Sequence, residues 1–339
     1  MGFKIAKLCR EKGYEVIHFH FVDLIISPFF LLLIPKNVRV IFTVHDYRVY
    51  CPKLFGVYKG KICKYGLTWR CMIRQQCKMH TLIANKFLRT LKAVYLTLCS
   101  YTHNYLFKKR VNYYIIPPKN LLELMQVLFK NAKGKMIHMP HFMPALRAQD
   151  IDYSRLRPKQ FLFVGRLAEE KGVDIIIKAV NRMVKEMGFN DIRVKIAGDG
   201  LLTEKLKQMV RDLNLEENIE FLGATSKDKL DALYQESIAT LIPSSWLENT
   251  PNVAYEAMRN ARPIIASKLG GFLDLVDHGK NGYLFEMDNY WELAGYMKEL
   301  YNNQELSKKM GDHGLKRLTE EFNSDVYYEK YEKILAGTL

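Results

Sequence analysis

From Lys159 onward the chain alternates steadily between short apolar runs and helical segments. The runs are Phe161–Val164, Val194–Ala197, Ile219–Leu222, Ile238–Pro243, Pro263–Ser267 and Tyr283–Phe285. Between them lie Val173–Lys185, Leu201–Leu213, Ser226–Glu236 and Val253–Asn260. Short buried strands separated by helices of this length are joined by crossovers, which makes the sheet parallel and the class α/β. Ligands of such sheets bind outside the carboxyl ends of the strands. The tail, Trp291 to Leu339, reads as helices throughout.

The first half is less regular. Val16–Phe21 and Arg39–Val44 read as buried strands, Asn112–Ile116 as a third and Met136–Met139 as a fourth, which leads into a linker at Pro140–Pro144. Residues 48–110 read as an insertion, Cys-rich and then basic and helical. A length of 339 residues accommodates two domains. The expected boundaries are 1–144 for the first domain, 145–322 for the second, and 323–339 for a last helix packing back on the first.

No run of 18 apolar residues occurs, and the most apolar stretch, Phe21–Pro35, is broken by Asp23 and Pro28. Met1–Lys12 lacks the apolar centre of a signal peptide. A cytoplasmic protein with reduced cysteines is therefore expected. Cys51, Cys63, Cys71 and Cys77 include no CxxC pair, so a zinc site is only weakly indicated.

Charge is divided unequally: residues 1–150 hold 25 Lys+Arg against 6 Asp+Glu, the remainder 26 against 30. A polyanionic partner for the first half follows, either nucleic acid or an anionic membrane face. Over residues 80–110, Leu91, Val94, Tyr95 and Leu98 recur at helical spacing beside Lys86, Arg89, Lys92 and the run Lys108–Arg110. That pattern suits an interfacial helix on anionic lipid; a core helix with a solvated basic face fits it too.

Chemistry concentrates after the strands. In Ser245–Met258, Thr250 is an expected N-cap and Pro251 an expected first helical residue. The unpaired N–H groups of Asn252 and Val253 would then form an anion site suited to phosphate. Glu256 follows about 7.5 Å along the axis, a reach from which its carboxylate can accept from the two hydroxyls of a ribose. After strand Phe161–Val164, Arg166 and Lys171 bracket a short loop and can neutralise a departing diphosphate. Surface cations pairing with Glu169 and Glu170 would produce the same sequence. His45 lies at the expected end of Arg39–Val44 and is an acid–base candidate. His18 and His20, alternating with Phe19 and Phe21, fit packing and hydrogen bonding.

Taken together these motifs resemble the retaining glycosyltransferases of family 4, which have the GT-B fold. The matches are Gly165-Arg166-Leu167 with Lys171-Gly172, Ile196–Gly200, Phe221-Leu222-Gly223, the pair Glu248 and Glu256 in E-x7-E spacing, Pro263–Ser267 and Gly270-Gly271. Thr43–Tyr47 with Cys51-Pro52 is similar to the family's strand end facing the cleft. Ala261 stands where the family usually has Gly, and Asp274 where Glu is usual.

The resemblance implies two Rossmann-like domains with parallel sheets facing a cleft, the first one incomplete because the chain starts at the segment matched by Tyr14–Phe21. It implies transfer of a sugar, with retention, from a UDP- or GDP-sugar to an acceptor hydroxyl. By the same analogy the acceptor is a lipid-linked saccharide of bacterial cell-surface polysaccharide synthesis, met at the inner face of the plasma membrane. Arg166 and Lys171 would hold the diphosphate, Glu256 the ribose, Glu248 and His45 the reacting sugar, and Gly223 and Ala224 would lie near the base. No metal or other cofactor is expected, since the cations and the helix start take that role. Two other readings are a truncated, non-catalytic nucleotide binder and a nucleic-acid-binding protein, the latter without a recognisable binding motif.

Overall fold

The computed structural model describes residues 2–20, 28–49, 57–58, 61–62, 86–145, 150–157 and 159–339. The four cysteines of the insertion lie outside them. Two units divide the chain: Met1–Pro140 with Tyr328–Leu339, and His141–Tyr327.

The first unit opens on helix α1 (Gly2–Lys12), which the sequence pattern leaves unassigned, followed by β1 (Val16–Phe19) and β2 (Arg39–Thr43). After a two-residue antiparallel hairpin, Val57–Tyr58 with Lys61–Ile62, come helix α2 (Lys86–Arg110), β3 (Tyr113–Ile116), α3 (Lys119–Leu128) and β4 (Lys135–His138). The four strands form one parallel sheet in the order β1-β2-β3-β4. Val40, Ile41 and Phe42 of β2 and Tyr114, Ile115 and Ile116 of β3 are all buried, as expected for central strands covered on both faces. Phe42 meets Phe107 of α2 edge-on at 4.6 Å between centroids.

In the second unit all six apolar runs become strands: β5 (Gln160–Val164), β6 (Arg193–Ala197), β7 (Ile219–Gly223), β8 (Ala239–Ile242), β9 (Ile264–Ser267) and β10 (Gly282–Phe285). Helices α4 (Val173–Lys185), α5 (Thr203–Asp212), α6 (Lys227–Glu236) and α7 (Asn252–Arg259) lie between them, α8 (Tyr290–Asn302) and α9 (Gln304–Glu321) follow, and the last helix, α10 (Ser324–Ala336), passes from Tyr328 onward into the first unit. The sheet is parallel with the order β10-β9-β8-β5-β6-β7. Alternation along β5 sends Phe161 and Phe163 to the core beneath α4 and α8, and Leu162 to the core beneath α7.

The strand order places the binding crevice. From β5 the chain adds β6 and β7 on one side, then returns to lay β8 on the other. Between β5 and β8 the connections diverge to opposite faces, and a parallel sheet opens a crevice there. The loops that follow those two strands are Gly165–Gly172 and Pro243–Pro251, the ones that carry the motifs.

Ala261 is buried with φ +51°. A Cβ in that left-handed region costs about 1–2 kcal/mol, which is why glycine suits the position. Against this stand a buried methyl of about 0.8 kcal/mol and about 0.4–1 kcal/mol from the stiffer unfolded chain. The terms nearly cancel. Ala261→Gly is accordingly expected to change stability by less than about 1 kcal/mol, a Tm shift of at most about 4 °C in a thermal melt.

Candidate functional site

The two loops at the switch point are joined through their backbones. Ser245 N donates to Glu170 O at 2.9 Å. A Cβ at Gly172, whose φ is +65°, would overlap the Pro243 carbonyl oxygen. Glycine there lets α4 start directly against the end of β8.

Lys171 and Glu248 meet across this junction. Lys171 Nζ lies 2.5 Å from Glu248 Oε1, and Ser244 Oγ donates to the same oxygen at 3.1 Å. Both side chains are largely shielded, 22% and 12% exposed, so water screens the pair only in part. Lys171 also lies 5.6 Å from the centre of the Trp246 ring. Arg166 differs: its guanidinium pairs with Glu170 at 3.0 Å while 69% of its side chain is exposed. The simple pairing of both cations with Glu169 and Glu170 thus holds for Arg166 and fails for Lys171, whose partner is 77 residues away.

The start of α7 needs correction. Pro251, not Thr250, occupies the cap position, with φ −74° and ψ 102°, and no side chain caps the helix. The Thr250 hydroxyl is buried without a hydrogen-bond partner. The helix therefore begins at Asn252, one residue later than the Thr-Pro pattern predicts. Ala254 N reaches Pro251 O at 2.9 Å, whereas among the described residues the Asn252 and Val253 N–H groups find no acceptor. These two donors at the positive end of the helix retain the capacity to bind an anion.

Gly270 and Gly271 fix this segment from the other side. Gly271 N donates to Glu248 O at 2.7 Å. A Cβ on Gly270 would come within 2.7 Å of Glu248 N, and one on Gly271 would overlap Asn249 O. Two bare backbones therefore press the Glu248–Asn249 turn into place.

Glu256, in α7, accepts from the Tyr234 hydroxyl at 2.9 Å through Oε2. Burial, followed by the Glu256 charge, pushes the Tyr234 hydroxyl well above its usual range, so it stays protonated and donates. Arg262, itself buried, donates from Nε to Tyr234 O and from Nη2 to Gln235 O, closing the carbonyl end of α6. Its own pKa is pushed down to about 10 by burial. Sequence spacing did not reveal Tyr234, because an aromatic residue inside an amphipathic helix reads as core. With Tyr234→Phe we expect the affinity for a ligand held by the Glu256 carboxylate to fall about tenfold, the worth of a hydrogen bond to a charged group. Calorimetric titration would leave Tyr234 a packing residue if the affinity did not move.

Gly223 ends β7 with φ +67°, and its carbonyl accepts from Gly198 N at 2.8 Å and Thr225 Oγ1 at 3.0 Å. Ala224 follows in the same turn.

In the first unit, three imidazoles cluster at the carboxyl ends of β1 and β2. His18 bonds Tyr331 Oη at 2.7 Å and Thr43 Oγ1 at 2.8 Å. His20 Nδ1 lies 3.0 Å from His45 Nε2. Burial and the neighbouring His20 and His45 lower the pKa of His18 to about 4. Burial and then His20 lower that of His45, against a smaller opposing effect of Asp46. His45 is thereby favoured in its neutral form, able to accept a proton.

Residues 149–317 match the family described as "Glycosyl transferases group 1". An uncharacterized glycosyltransferase of Methanocaldococcus jannaschii is 37% identical over 169 residues, half of this chain and 44% of that protein. The poly(ribitol-phosphate) alpha-N-acetylglucosaminyltransferase of Staphylococcus aureus is 27% identical over 169 residues, half of this chain and 33% of that protein. The chain thus matches half or less of the length of these relatives. Among solved structures, Anabaena HepE in complex with UDP aligns over 99% of this chain and 82% of its own, with a TM-score of 0.68 at 16% identity. At that identity the likeness shows the fold, which is GT-B.

Proposed function

We propose that this chain, which carries a glycosyl transferases group 1 domain at residues 149–317 in a GT-B fold, moves a sugar from a UDP- or GDP-sugar to an acceptor hydroxyl with retention at the anomeric carbon. One observation carries the reading: at the switch point between β5 and β8, Lys171 and Glu248 are joined in the loops that lead to the α7 start, where Asn252 and Val253 N–H find no acceptor among the described residues. In this reading the leaving diphosphate takes Lys171 from Glu248 and draws in Arg166. Its other side rests on the helix start. The freed Glu248 carboxylate faces the transferred sugar, Glu256 holds the ribose, and the turn at Gly223 and Ala224 lies by the base. In the first unit, neutral His45 is a group that can hydrogen-bond a saccharide hydroxyl. The work often given to a divalent cation falls here to Arg166, Lys171 and the helix dipole.

The UDP in the HepE structure and the S. aureus relative's alpha-N-acetylglucosaminyltransferase name support a nucleotide-sugar donor. A lipid-linked saccharide of a bacterial surface polysaccharide is the acceptor class we assign, on analogy and on the basic first half.

Isothermal titration with UDP, GDP and their common sugar conjugates tests the donor. Absence of heat with every nucleotide would overturn the reading. Heat with UDP or GDP, but no release of nucleotide diphosphate when acceptor saccharides are added, would instead mark a nucleotide-binding protein without transferase activity.

A further inference from the structure

We infer that the first unit docks on an anionic lipid surface through α1, the turn Pro28–Leu32 and α2, independently of any sugar nucleotide. Each of these elements buries one apolar set and leaves another in solvent. Helix α1 turns Ala6 and Cys9 inward and leaves Phe3 79% exposed. The short helical turn Pro28–Leu32 buries Phe30 and Leu31 and leaves Leu32 64% exposed. Helix α2 buries Leu106 and Phe107, while Leu91, Tyr95, Leu98 and Tyr105 are half or more exposed. Those four stand at i, i+4, i+7 and i+14, so they form one stripe along the helix. Both helices pack on the turn, so the three elements that carry these side chains are neighbours.

Charge decides what covers this surface. Helix α2 contains six Lys and Arg and no acid, and α1 contains four against the single Glu11. No acidic residue occurs anywhere between Asp46 and Glu123. The cations are not all spoken for by the fold: Arg110 is committed to the carbonyls of Pro35 and Val38, but Lys109 Nζ lies 4.3 Å from the centre of the Tyr105 ring, at the end of the stripe. A second copy of this chain is a poor partner, because two acid-free helices with six bases each repel. A nucleic acid would satisfy the bases but offers nothing to leucine and phenylalanine side chains held in water. A bilayer with anionic headgroups satisfies both, taking apolar side chains below the headgroups and bases at their level. Among the described residues no helix is long and apolar enough to cross a membrane, so the contact is one of lying on the surface.

The test uses the full chain and vesicles of phosphatidylcholine alone or of phosphatidylcholine and phosphatidylglycerol in equal parts. Co-sedimentation is expected to be at least about tenfold tighter on the anionic vesicles and to weaken with added salt. The exposed pair Leu91→Ser with Leu98→Ser should lower that binding about tenfold. Thermal melting and nucleotide titration of the same variant should match the parent, since both side chains are exposed and neither belongs to the second unit. Equal binding to both vesicle types, or unchanged binding by the double variant, would overturn the inference. So would light scattering that shows a dimer lost in the double variant, which would make the stripe a contact between copies. A preference for duplex DNA over anionic vesicles would also overturn it. Loss of nucleotide binding in the parent protein, with vesicle binding intact, would sink only the sugar-transfer reading.

Discussion

Lys171→Met is expected to lower kcat/KM for sugar transfer by about 10²–10³-fold, the usual cost of removing one preorganised charge from a shielded site. Two effects combine. The diphosphate loses a cation, and Glu248 keeps its carboxylate in a setting only 12% exposed, where Ser244 still donates to it. Removing one member of a shielded pair is costly because the other charge stays behind. Lys171→Arg should recover part of the loss, since the charge remains while its shape changes. Arg166→Ala should cost less, on the order of tenfold, because its side chain is mostly in solvent and already shared with Glu170. Equal losses in the two variants would contradict this ranking, and full activity in Lys171→Met would remove Lys171 from the mechanism.

Gly270→Ala should destabilise the second unit by roughly 2–3 kcal/mol, from left-handed backbone strain plus overpacking. The residue has φ +58°, and its added methyl would run into the oxygen and nitrogen of Glu248, which are backbone atoms with no side-chain freedom to retreat. The fold can respond by pushing the Glu248 turn aside, which separates the Lys171–Glu248 pair. Differential scanning calorimetry should show a Tm lowered by about 5–10 °C. Nucleotide affinity should fall as well, even at temperatures where the variant is folded. A variant with unchanged Tm would mean that the turn yields without resistance.

The second unit was legible in the sequence because its strands are covered on both faces. Continuous apolar runs such as Phe161–Val164 and Ile264–Ser267 have no other stable use between helices of that length. The placing of the motif loops at the carboxyl ends of strands followed from the same reading, whereas the strand order that makes β5 and β8 neighbours at a switch point is set by long-range pairing. In contrast α1 and α3 were missed. Helix α1 buries only a narrow side, Ala6 and Cys9, and α3 buries Leu121 and Met125, too few positions for a clear helical period. The cap of α7 failed for a different reason: the Thr-Pro pattern is local, whereas Gly271 holds Glu248 O from a distant loop and sets the backbone that enters the helix. Partners were the least legible feature. Lys171 has carboxylates one and two residues away and takes one 77 residues away. Tyr234 and Glu256 meet only after α6 and α7 pack side by side.

The final helix has a consequence for how this protein is made. Tyr331 is the hydrogen-bond partner of His18, Leu335 O accepts from Arg39, and Leu339 O accepts from Lys135. The second unit is contiguous, so it can close as soon as it leaves the ribosome. The sheet of the first unit must wait for residues that follow the whole second unit in sequence. Until they emerge it stays open to chaperones and to proteases.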